Sequence, residues 1–353
     1  MLHNLLDLTL IEMGQTLQTL GMSPSVVPRV FKAIYRDCVT TFDAVLGLSR
    51  AAKLILAQNT VMEMPQPLEE CASSDGQTCK MLFKLSDGNT IEAALMLWHT
   101  ISGRRNCTIC VSSQVGCAIG CPFCATGRQG FVRNLTVAEI TGQILFFLRR
   151  MHAAHDMVKL TNIVFMGMGE PLLNYDNVGK VLTIVNAPQG LGLSAHKIML
   201  SSAGLVPQIQ RIVQDKLPLE LAISLHAADD ELRNRLVPIN RKYPLIDLLA
   251  ACSEYSNATG RLVYMEYILF AGINDSVSDA EALLKLLNGL PCAVNLIAYN
   301  STGLPDYQPS SQEAALAFQR RLIAGGLRAM LRVSRGADIE AGCGQLRSRN
   351  IGK

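Results

Sequence analysis

The sequence lacks long uncharged apolar runs and carries almost no net charge. Apolar residues make up 49% of its 353 residues, yet no run of 18 or more is free of charged or polar breaks, so we expect no transmembrane helix. The start, MLHNLLDLTLIEMG, has no basic segment and includes Asp7 and Glu12, which argues against a secretory signal. A net charge of +3 does not by itself indicate a nucleic-acid partner. The length suits one large domain with a smaller one.

Cysteine, by contrast, is abundant, with eleven residues. Without a secretory signal, so many thiols are more typical of metal ligation or redox chemistry than of disulfides, which predicts a cytoplasmic protein. Cys117, Cys121 and Cys124 form a C-x3-C-x2-C motif in VGCAIGCPFCATG. Three thiolates on one short loop can hold three irons of a four-iron, four-sulfur cluster and leave the fourth iron open to a small molecule.

A structural zinc site is the alternative interpretation of these cysteines. Cys107 and Cys110 form one C-x2-C pair, and Cys121 and Cys124 form another, with ten residues between them. Four thiolates suit zinc, but this interval is shorter than the usual ribbon spacing and leaves Cys117 without a role. Spacing alone leaves both interpretations open.

The first hundred residues differ in pattern from the rest. Residues 1–60 show helical periodicity, and residues 80–97 alternate about a turn at 86–89, which indicates a β-hairpin. We predict a helical accessory module over 1–75, a β-ribbon and linker over 76–105, a core over 106–340 and a tail over 341–353.

From about residue 105 onward, strand patterns alternate with helix patterns. This rhythm predicts parallel strands joined by right-handed crossovers, hence an α/β layered or barrel fold. The predicted strands span 108–112, 162–166, 197–201, 220–225, 262–269, 293–298 and 328–333, and the predicted helices include 136–150, 174–185, 244–255, 278–287 and 310–324.

Polar residues follow these strands, at the end where such folds collect their chemistry. In GMGEP (167–171) the glycines let main-chain carbonyls approach a ligand, and Glu170 would suit a cationic amine. A histidine or asparagine at a strand end can equally be a core or turn residue. The candidates after the later strands are Ser201, Ser224, Leu225, His226 and Asn300.

Cys343 lies in AGCGQL, where flanking glycines and nearby basic residues favour an exposed thiolate and thus a nucleophile. Two basic segments could line a phosphate-binding face, although a solvated surface explains them equally well. Their members are Arg104, Arg105, Arg128, Arg133, Arg149 and Arg150, then Arg328, Arg332, Arg335, Arg347, Arg349 and Lys353.

With these motifs assembled, the chain resembles the RlmN/Cfr family of radical S-adenosylmethionine RNA methyltransferases over about residues 80–350. The blocks that carry the resemblance are CVSSQVGCAIGCPFCATGRQGFVRNLTVAEI, FMGMGEPLLNYDNV, LAISLHAADDELRNRLVPINRKYPL, GINDS and GADIEAGCGQL. The resemblance implies a partial (β/α) barrel, a 4Fe-4S cluster and S-adenosylmethionine as cofactors. It also implies 23S rRNA and certain tRNAs as substrates and a cytosolic electron donor. The lack of long apolar runs predicts no membrane partner, and nothing in the sequence demands more than a monomer.

The block GMGEPLLN resembles the RlmN branch, because the Cfr branch tends to replace its proline with alanine. This implies methylation at carbon 2 of an adenosine, including position 37 of some tRNAs, rather than at carbon 8. The alternative within the family is Cfr-type methylation of carbon 8, which confers ribosomal antibiotic resistance. A non-catalytic, zinc-bearing RNA-binding protein and a radical enzyme acting on small molecules are the other competing hypotheses.

The resemblance also implies a role for individual residues. In the family's route, one S-adenosylmethionine methylates a cysteine, and a second yields the 5′-deoxyadenosyl radical that activates this methyl group for addition to adenine. The implied cluster ligands are Cys117, Cys121 and Cys124. The implied S-adenosylmethionine contacts are Gly169, Glu170, Ser201, Ser224, Leu225, His226 and Asn300. The resemblance further implies that Cys343 is methylated, that Cys110 resolves the RNA adduct and that Glu92 is the general base.

Overall fold

The computed structural model describes residues 2–99, 103, 105–153, 158–332 and 334–348. Of the positions singled out above, Arg104, Arg349, Lys353 and the last residue of the predicted strand 328–333 lie outside the described residues.

The N-terminal part is helical, as its periodicity predicts. It contains α1 (Leu10–Thr19), α2 (Val27–Tyr35) and α3 (Arg50–Asn59), and two short parallel strands, β1 (His3–Asn4) and β2 (Thr60–Val61), join its ends. Thr9 and Glu12 form a capping box that begins α1. The apolar residues of this part belong to the same buried cluster as the core of the rest of the chain.

The remaining strands build one large sheet and one small ribbon. In chain order they are β3 (Gln66–Ala72), β4 (Thr78–Lys84), β5 (Thr90–His99), β6 (Arg105–Cys110), β7 (Gln114–Gly116), β8 (Phe131–Asn134), β9 (Lys159–Phe165), β10 (Ile198–Ser202), β11 (Glu220–Ser224), β12 (Val263–Leu269), β13 (Cys292–Ala298) and β14 (Arg328–Arg332). Ten of them form a sheet in the order β14-β13-β12-β11-β10-β9-β6-β5-β4-β3, while β7 and β8 pair with each other.

Strand direction changes at β6 within the large sheet. From β6 to β14 all neighbours are parallel, and from β6 to β3 all neighbours are antiparallel. The seven parallel strands are the seven predicted ones, and the predicted hairpin is β4 and β5. β3 was not predicted, because its pattern, QPLEECA, is almost entirely exposed and has no buried alternation.

Helices connect the parallel strands. They are α4 (Ala125–Arg128), α5 (Val137–Ala153), α6 (Tyr175–Asn186), α7 (Val206–Gln214), α8 (Asp230–Leu236), α9 (Leu245–Thr259), α10 (Val277–Leu286) and α11 (Gln312–Ala324). A reciprocal pair of hydrogen bonds between Thr136 and Glu139 begins α5, as its capping-box sequence predicts. Within the described part of the chain, no helix combines the length and apolarity needed to cross a bilayer.

Candidate active site

A cavity of about 150 Å³ opens at the carboxyl ends of the parallel strands. Its walls come from segments that are far apart in sequence, as expected where successive parallel strands end at one edge. The predicted site residues that line it are Cys117, Cys121, Cys124, Gly169, Glu170, Ser201, Ser224, His226 and Cys343.

The β7–β8 ribbon fixes the start of the cysteine loop, residues 117–124. Gly116 ends β7 with φ 72°, and a Cβ built there would lie 1.8 Å from the carbonyl oxygen of Gly130. Only glycine therefore allows the two strands to approach here. The Cys117 N–H donates to the same Gly130 carbonyl at 2.8 Å, which fixes the first thiol at the end of the ribbon. Cys124 N–H then donates to Cys121 O at 3.1 Å and closes the loop.

The three thiols suit a four-iron cluster. All three are free and partly buried, and burial raises the pKa of Cys117 to about 12 and that of Cys121 well above its usual value. A low-dielectric site of this kind disfavours bare thiolates but suits thiolates whose charge is compensated by iron. In such a cluster each thiolate binds a different iron, so the sulfurs need not converge on one point.

The zinc interpretation has no counterpart in this geometry. Among the described residues, no group of three or more His, Cys, Asp or Glu side chains is close enough to share one metal ion. Cys107, which that interpretation requires, is buried with its sulfur 3.8 Å from that of Met151, away from the cavity. The pairing of Cys107 and Cys110 with Cys121 and Cys124 is therefore wrong for the described chain.

The GMGEP turn lies against the connection between β6 and β7. Gly169 has φ 99°, and a Cβ there would lie 2.5 Å from the side chain of Gln114. The Ser112 hydroxyl accepts from the Met168 N–H at 2.8 Å, and Gln114 Oε1 accepts from the Glu170 N–H at 2.8 Å. These contacts fix the turn directly beside the cysteine loop.

Glu170 is a buried carboxylate that joins two strand ends. One oxygen accepts from the Leu172 N–H at 3.0 Å, and the other accepts from the Ala203 N–H at 2.7 Å, after β10. Burial raises the pKa of Glu170 to about 7, although these hydrogen bonds oppose the shift. Glu170 lines the cavity, where its carboxylate can also accept from a ligand amine.

The segments after β10 and β11 bring further donors to the cavity. The hydroxyls of Ser201 and Ser224 lie 3.4 Å apart. His226 has φ 59°, and its Nδ1 accepts from the Ile268 N–H at 3.1 Å, so Nε2 carries the proton of the neutral ring. Burial, with a contribution from Arg233, lowers the pKa of His226 to about 3, which keeps the ring neutral.

Two predicted binding residues do not line the cavity. Leu225 has no exposed surface, and its backbone N–H already donates to the Glu266 carbonyl at 3.0 Å. Asn300 lies behind the segment around Cys343 and donates to its carbonyl at 3.3 Å. Both positions therefore shape the cavity through neighbours rather than by direct contact in this structure.

The fold brings Cys343 near enough to Cys110 for the two thiols to interact electrostatically, although 233 positions separate them in sequence. Cys343 is exposed at the cavity, whereas Cys110 is buried at the end of β6. Burial raises the pKa of Cys110 to about 12, and the nearby Cys343 thiol adds to the shift. Both are free thiols.

Glu92 lies on β5 and is buried next to the C-terminal segment. Its carboxylate pairs with Lys80 Nζ at 3.2 Å and accepts from the Arg347 N–H at 3.0 Å. The Ser112 hydroxyl also donates to the Glu92 backbone carbonyl at 2.6 Å. Glu92 therefore connects strand β4, the C-terminal tail and the β6–β7 connection. It does not line the cavity itself.

Several arginines of the basic segments form ion pairs or hydrogen bonds with other residues of the chain. Arg133 forms ion pairs with Asp87 and Glu139, and Arg150 pairs with Glu70. Others bind backbone carbonyls: Arg149 donates to Cys38 and Val39, and Arg335 donates to Leu97. The sequence did not reveal these partners, because Asp87, Glu70 and the carbonyls that bind Arg149 and Arg335 are distant in the chain from their arginines.

Sequence reasoning missed Ser112, Gln114 and Arg233. Ser112 and Gln114 fall inside CVSSQVGC, directly before the cysteine triad, and that position was the available signal. Arg233 lies in the helix DELRNRL, whose charged pattern indicates an exposed helix, yet its side chain is fully buried.

Comparison with known proteins identifies related enzymes. The model of the Radical SAM superfamily matches residues 111–287. The probable dual-specificity RNA methyltransferase RlmN of Moorella thermoacetica is 44% identical over 338 residues, which cover 95% of this chain and 94% of that protein. The dual-specificity RNA methyltransferase RlmN of Syntrophus aciditrophicus is 41% identical and covers 99% and 97%.

A solved structure extends the agreement to the fold. The crystal structure of a radical SAM methyltransferase from Sphaerobacter thermophilus superposes with a TM-score of 0.91 at 42% identity, covering 98% of this chain and 99% of that one. The chain belongs to the RlmN family of dual-specificity RNA methyltransferases within the radical SAM superfamily, and its cofactors are a 4Fe-4S cluster and S-adenosylmethionine.

Proposed function

We propose that this protein methylates carbon 2 of adenosine in 23S rRNA and in tRNA, through a methyl group carried on Cys343. The relatives are named as RNA methyltransferases of dual specificity, which supports two RNA substrates. The observation that carries the proposal is the presence of the exposed Cys343 in the same cavity as the cysteine triad. Cys110 lies near enough to Cys343 to interact with it electrostatically. A zinc-bearing binding protein would need neither Cys343 nor Cys110.

Cys117, Cys121 and Cys124 would hold the cluster at the cavity wall. When bound, the cluster supplies the electron for reductive cleavage of S-adenosylmethionine. Glu170 would accept from the methionyl amine, since it lines the cavity on a turn fixed by Gln114. His226 would donate through Nε2, because its Nδ1 is occupied by Ile268. Ser201 and Ser224 would bind hydroxyls of the same ligand.

The two cysteines beside the cavity would carry and release the methyl group. Cys343 loses its thiol proton when its sulfur takes a methyl group by displacement. Once the methyl carbon is bonded to adenine, the adduct carries an unpaired electron; Glu92 would take the ring proton through its carboxylate, and the oxidised cluster could take back the electron, which would leave a closed-shell thioether. The Cys110 thiolate would then attack the Cys343 sulfur: an S–S bond forms, the S–C bond breaks, and the carbon takes a proton. A cytosolic reductant would restore both thiols.

Reconstitution under anaerobic conditions tests this proposal. The protein would be loaded with iron and sulfide and incubated with S-adenosylmethionine, a reductant and an rRNA or tRNA fragment, and the nucleosides would then be analysed by mass spectrometry. We expect 2-methyladenosine, and none from Cys343→Ala although that variant keeps the visible absorbance of the cluster. 8-Methyladenosine, or unmodified RNA with a colourless zinc-loaded protein, would overturn the proposal.

A cytoplasmic location, a monomeric state and a cytosolic electron donor remain part of this proposal. Size-exclusion chromatography with light scattering checks the oligomeric state, for which we expect the mass of one 353-residue chain.

A further inference from the structure

A buried lysine lies beside the carboxylate that we assign as the general base. Lys80 on β4 is 2% exposed and Glu92 on β5 is 1% exposed, and Lys80 Nζ lies 3.2 Å from Glu92 Oε1. The same ammonium donates at 3.1 Å to the backbone carbonyl of Glu340, three residues before Cys343. Lys80 therefore joins the base to the segment that carries Cys343.

Strand register places this pair on the same face of the sheet as the second cysteine. Lys80 on β4 is opposite Ala94 on β5, and Ala94 is opposite Cys110 on β6. Directly opposed residues of an antiparallel pair share a face, and so do residues two apart on one strand. Lys80, Glu92 and Cys110 therefore lie on one face, and Glu92 is the diagonal neighbour of Lys80.

The two carboxylate oxygens of Glu92 have different partners. Oε1 pairs with Lys80, whose strand is held between β3 and β5, whereas Oε2 accepts from the Arg347 N–H of the tail at 3.0 Å. Cys343 has to carry its methyl group to the RNA, so the tail that holds Cys343 must shift. Oε2 is therefore the oxygen that can exchange its partner for the ring proton, while the contact between Oε1 and Lys80 persists.

Lys80 compensates the charge of this carboxylate from inside the sheet. In the tail, the Arg347 guanidinium pairs with the Glu340 carboxylate at 2.9 Å, so these two charges balance each other. On β6, burial raises the pKa of Cys110 to about 12, so this thiol adds no charge at neutral pH. A buried carboxylate without a nearby cation favours its neutral form, and a carboxylic acid cannot act as the base.

We propose that Lys80 keeps Glu92 ionised and fixed in place, so that Glu92 Oε2 can remove the proton from carbon 2 of adenine. This inference rests on the proposed function. The proton passes from the ring carbon to the carboxylate, which becomes a carboxylic acid; the electron pair of the C–H bond stays on the adduct, and Lys80 remains an ammonium. Lys80 is a positioning residue in this scheme, since it acts through Glu92.

Two substitutions separate the charge of Lys80 from its packing. Lys80→Met keeps an unbranched side chain and removes the charge, whereas Lys80→Arg keeps the charge. Lys84→Met is the matched control, because Lys84 lies exposed at the end of the same strand. Each reconstituted protein would react in a single turnover with an rRNA fragment that carries hydrogen or deuterium at carbon 2 of the target adenosine. Mass spectrometry would measure methylated Cys343 and 2-methyladenosine as a function of pH.

At about pH 7 we expect Lys80→Met to form 2-methyladenosine about tenfold more slowly than the wild type, with recovery to within about threefold at about pH 9. The carboxyl group left without its cation holds its proton at neutral pH and loses it as the pH rises. The deuterium isotope effect should be larger in Lys80→Met, because removal of the ring proton then limits the rate. Methylation of Cys343 should not change, and Lys80→Arg and Lys84→Met should stay within about threefold of the wild type at every pH.

A loss in Lys80→Met that is the same at every pH, or that is equal for both methylation steps, would overturn the inference and make Lys80 a structural residue. Equal losses in Lys80→Met and Lys80→Arg would overturn it as well. A wild-type protein that forms no 2-methyladenosine would instead sink the proposed function, so the two failures are distinguishable.

Removal of one partner of a buried ion pair can destabilise a fold, so iron content and circular dichroism would be measured for each variant. If Lys80→Met does not fold, Lys80→Arg decides alone. A rate of 2-methyladenosine formation within about threefold of the wild type then supports the role of the charge, and a fall of about tenfold contradicts it.

Discussion

At the scale of single residues, the two cysteines proposed to carry and release the methyl group lie in different environments. Cys110 ends a central strand and is buried, while Cys343 is exposed on a segment flanked by glycines. Sequence alone could propose the cluster cysteines and Cys343, since spacing and glycine context are local. Local patterns could not show that Cys110 lies near Cys343, because their proximity depends on the whole sheet.

Cys110→Ala should trap a covalent protein–RNA species. Without the second thiol, nothing breaks the S–C bond between Cys343 and the methylated base, so RNA should remain attached to the denatured chain. A denaturing gel with labelled RNA would show it. Cys107→Ala is the matched control, a buried cysteine on the same strand that faces Met151 and should release its product normally. Absence of the band in Cys110→Ala would exclude the resolving role.

Glu92→Gln should separate the two methylation steps. The substitution keeps the size of the side chain but removes the base, so methylation of Cys343 should persist while 2-methyladenosine falls at least about 100-fold. Intact-protein and nucleoside mass spectrometry measure the two products. The exposed Glu69→Gln on β3 should leave both unchanged. Equal loss of both products would show that Glu92 is structural, through its ion pair with Lys80.

At the scale of elements, the β7–β8 ribbon decides where the cysteine loop begins. The strands of the barrel and the capping box of α5 were predictable, because both depend on short-range patterns. The ribbon was not, since β7 has only three residues and pairs with β8 across the whole cysteine loop. Its tight contact is visible only in the structure, where Gly116 faces the Gly130 carbonyl.

Gly116→Ala should therefore lose the cluster while Gly120→Ala keeps it. Both glycines have φ 72°, so both substitutions carry the same backbone strain, on the order of 1 kcal/mol. Only at Gly116 would the added methyl group meet an atom, the Gly130 oxygen at 1.8 Å, whereas at Gly120 nothing lies within 4 Å. Iron bound per chain after reconstitution is the measurement. We expect Gly116→Ala to bind less than half the wild-type amount; equal loss in both variants would assign the effect to strain alone.

At the scale of the whole molecule, long-range polar contacts join the N-terminal helices to α5 and the C-terminal tail to α4 and β5. Arg149 on α5 donates to the carbonyls of Cys38 and Val39 at 3.2 and 2.7 Å. The tail contacts both α4 and β5: the Ala125 N–H donates to Gly344 O at 2.8 Å, and the Ser348 hydroxyl donates to Thr90 O at 2.6 Å. No local pattern predicts such contacts, which is why sequence assigned Arg149 to a basic surface.

Arg149→Met should weaken the docking of the N-terminal helices far more than Arg150→Met. Methionine keeps much of the packing but removes two charge-assisted hydrogen bonds, so we expect the free energy of unfolding to fall by about 3 kcal/mol. Its neighbour Arg150 pairs with Glu70 at a half-exposed position and should contribute less than about 1 kcal/mol. Urea denaturation followed by circular dichroism compares them; equal losses would contradict the anchoring role of Arg149.

The change of strand direction at β6 has a consequence for how the two sulfurs can meet. Cys110 ends the strand that pairs with a parallel neighbour on one side and an antiparallel neighbour on the other. A residue held in two ladders cannot shift without breaking both. Under the proposed function, Cys110 therefore stays in place, and Cys343 must move to reach the methyl donor, the RNA base and finally Cys110. The length of the short segment that carries Cys343 limits how far from the sheet the RNA base can lie.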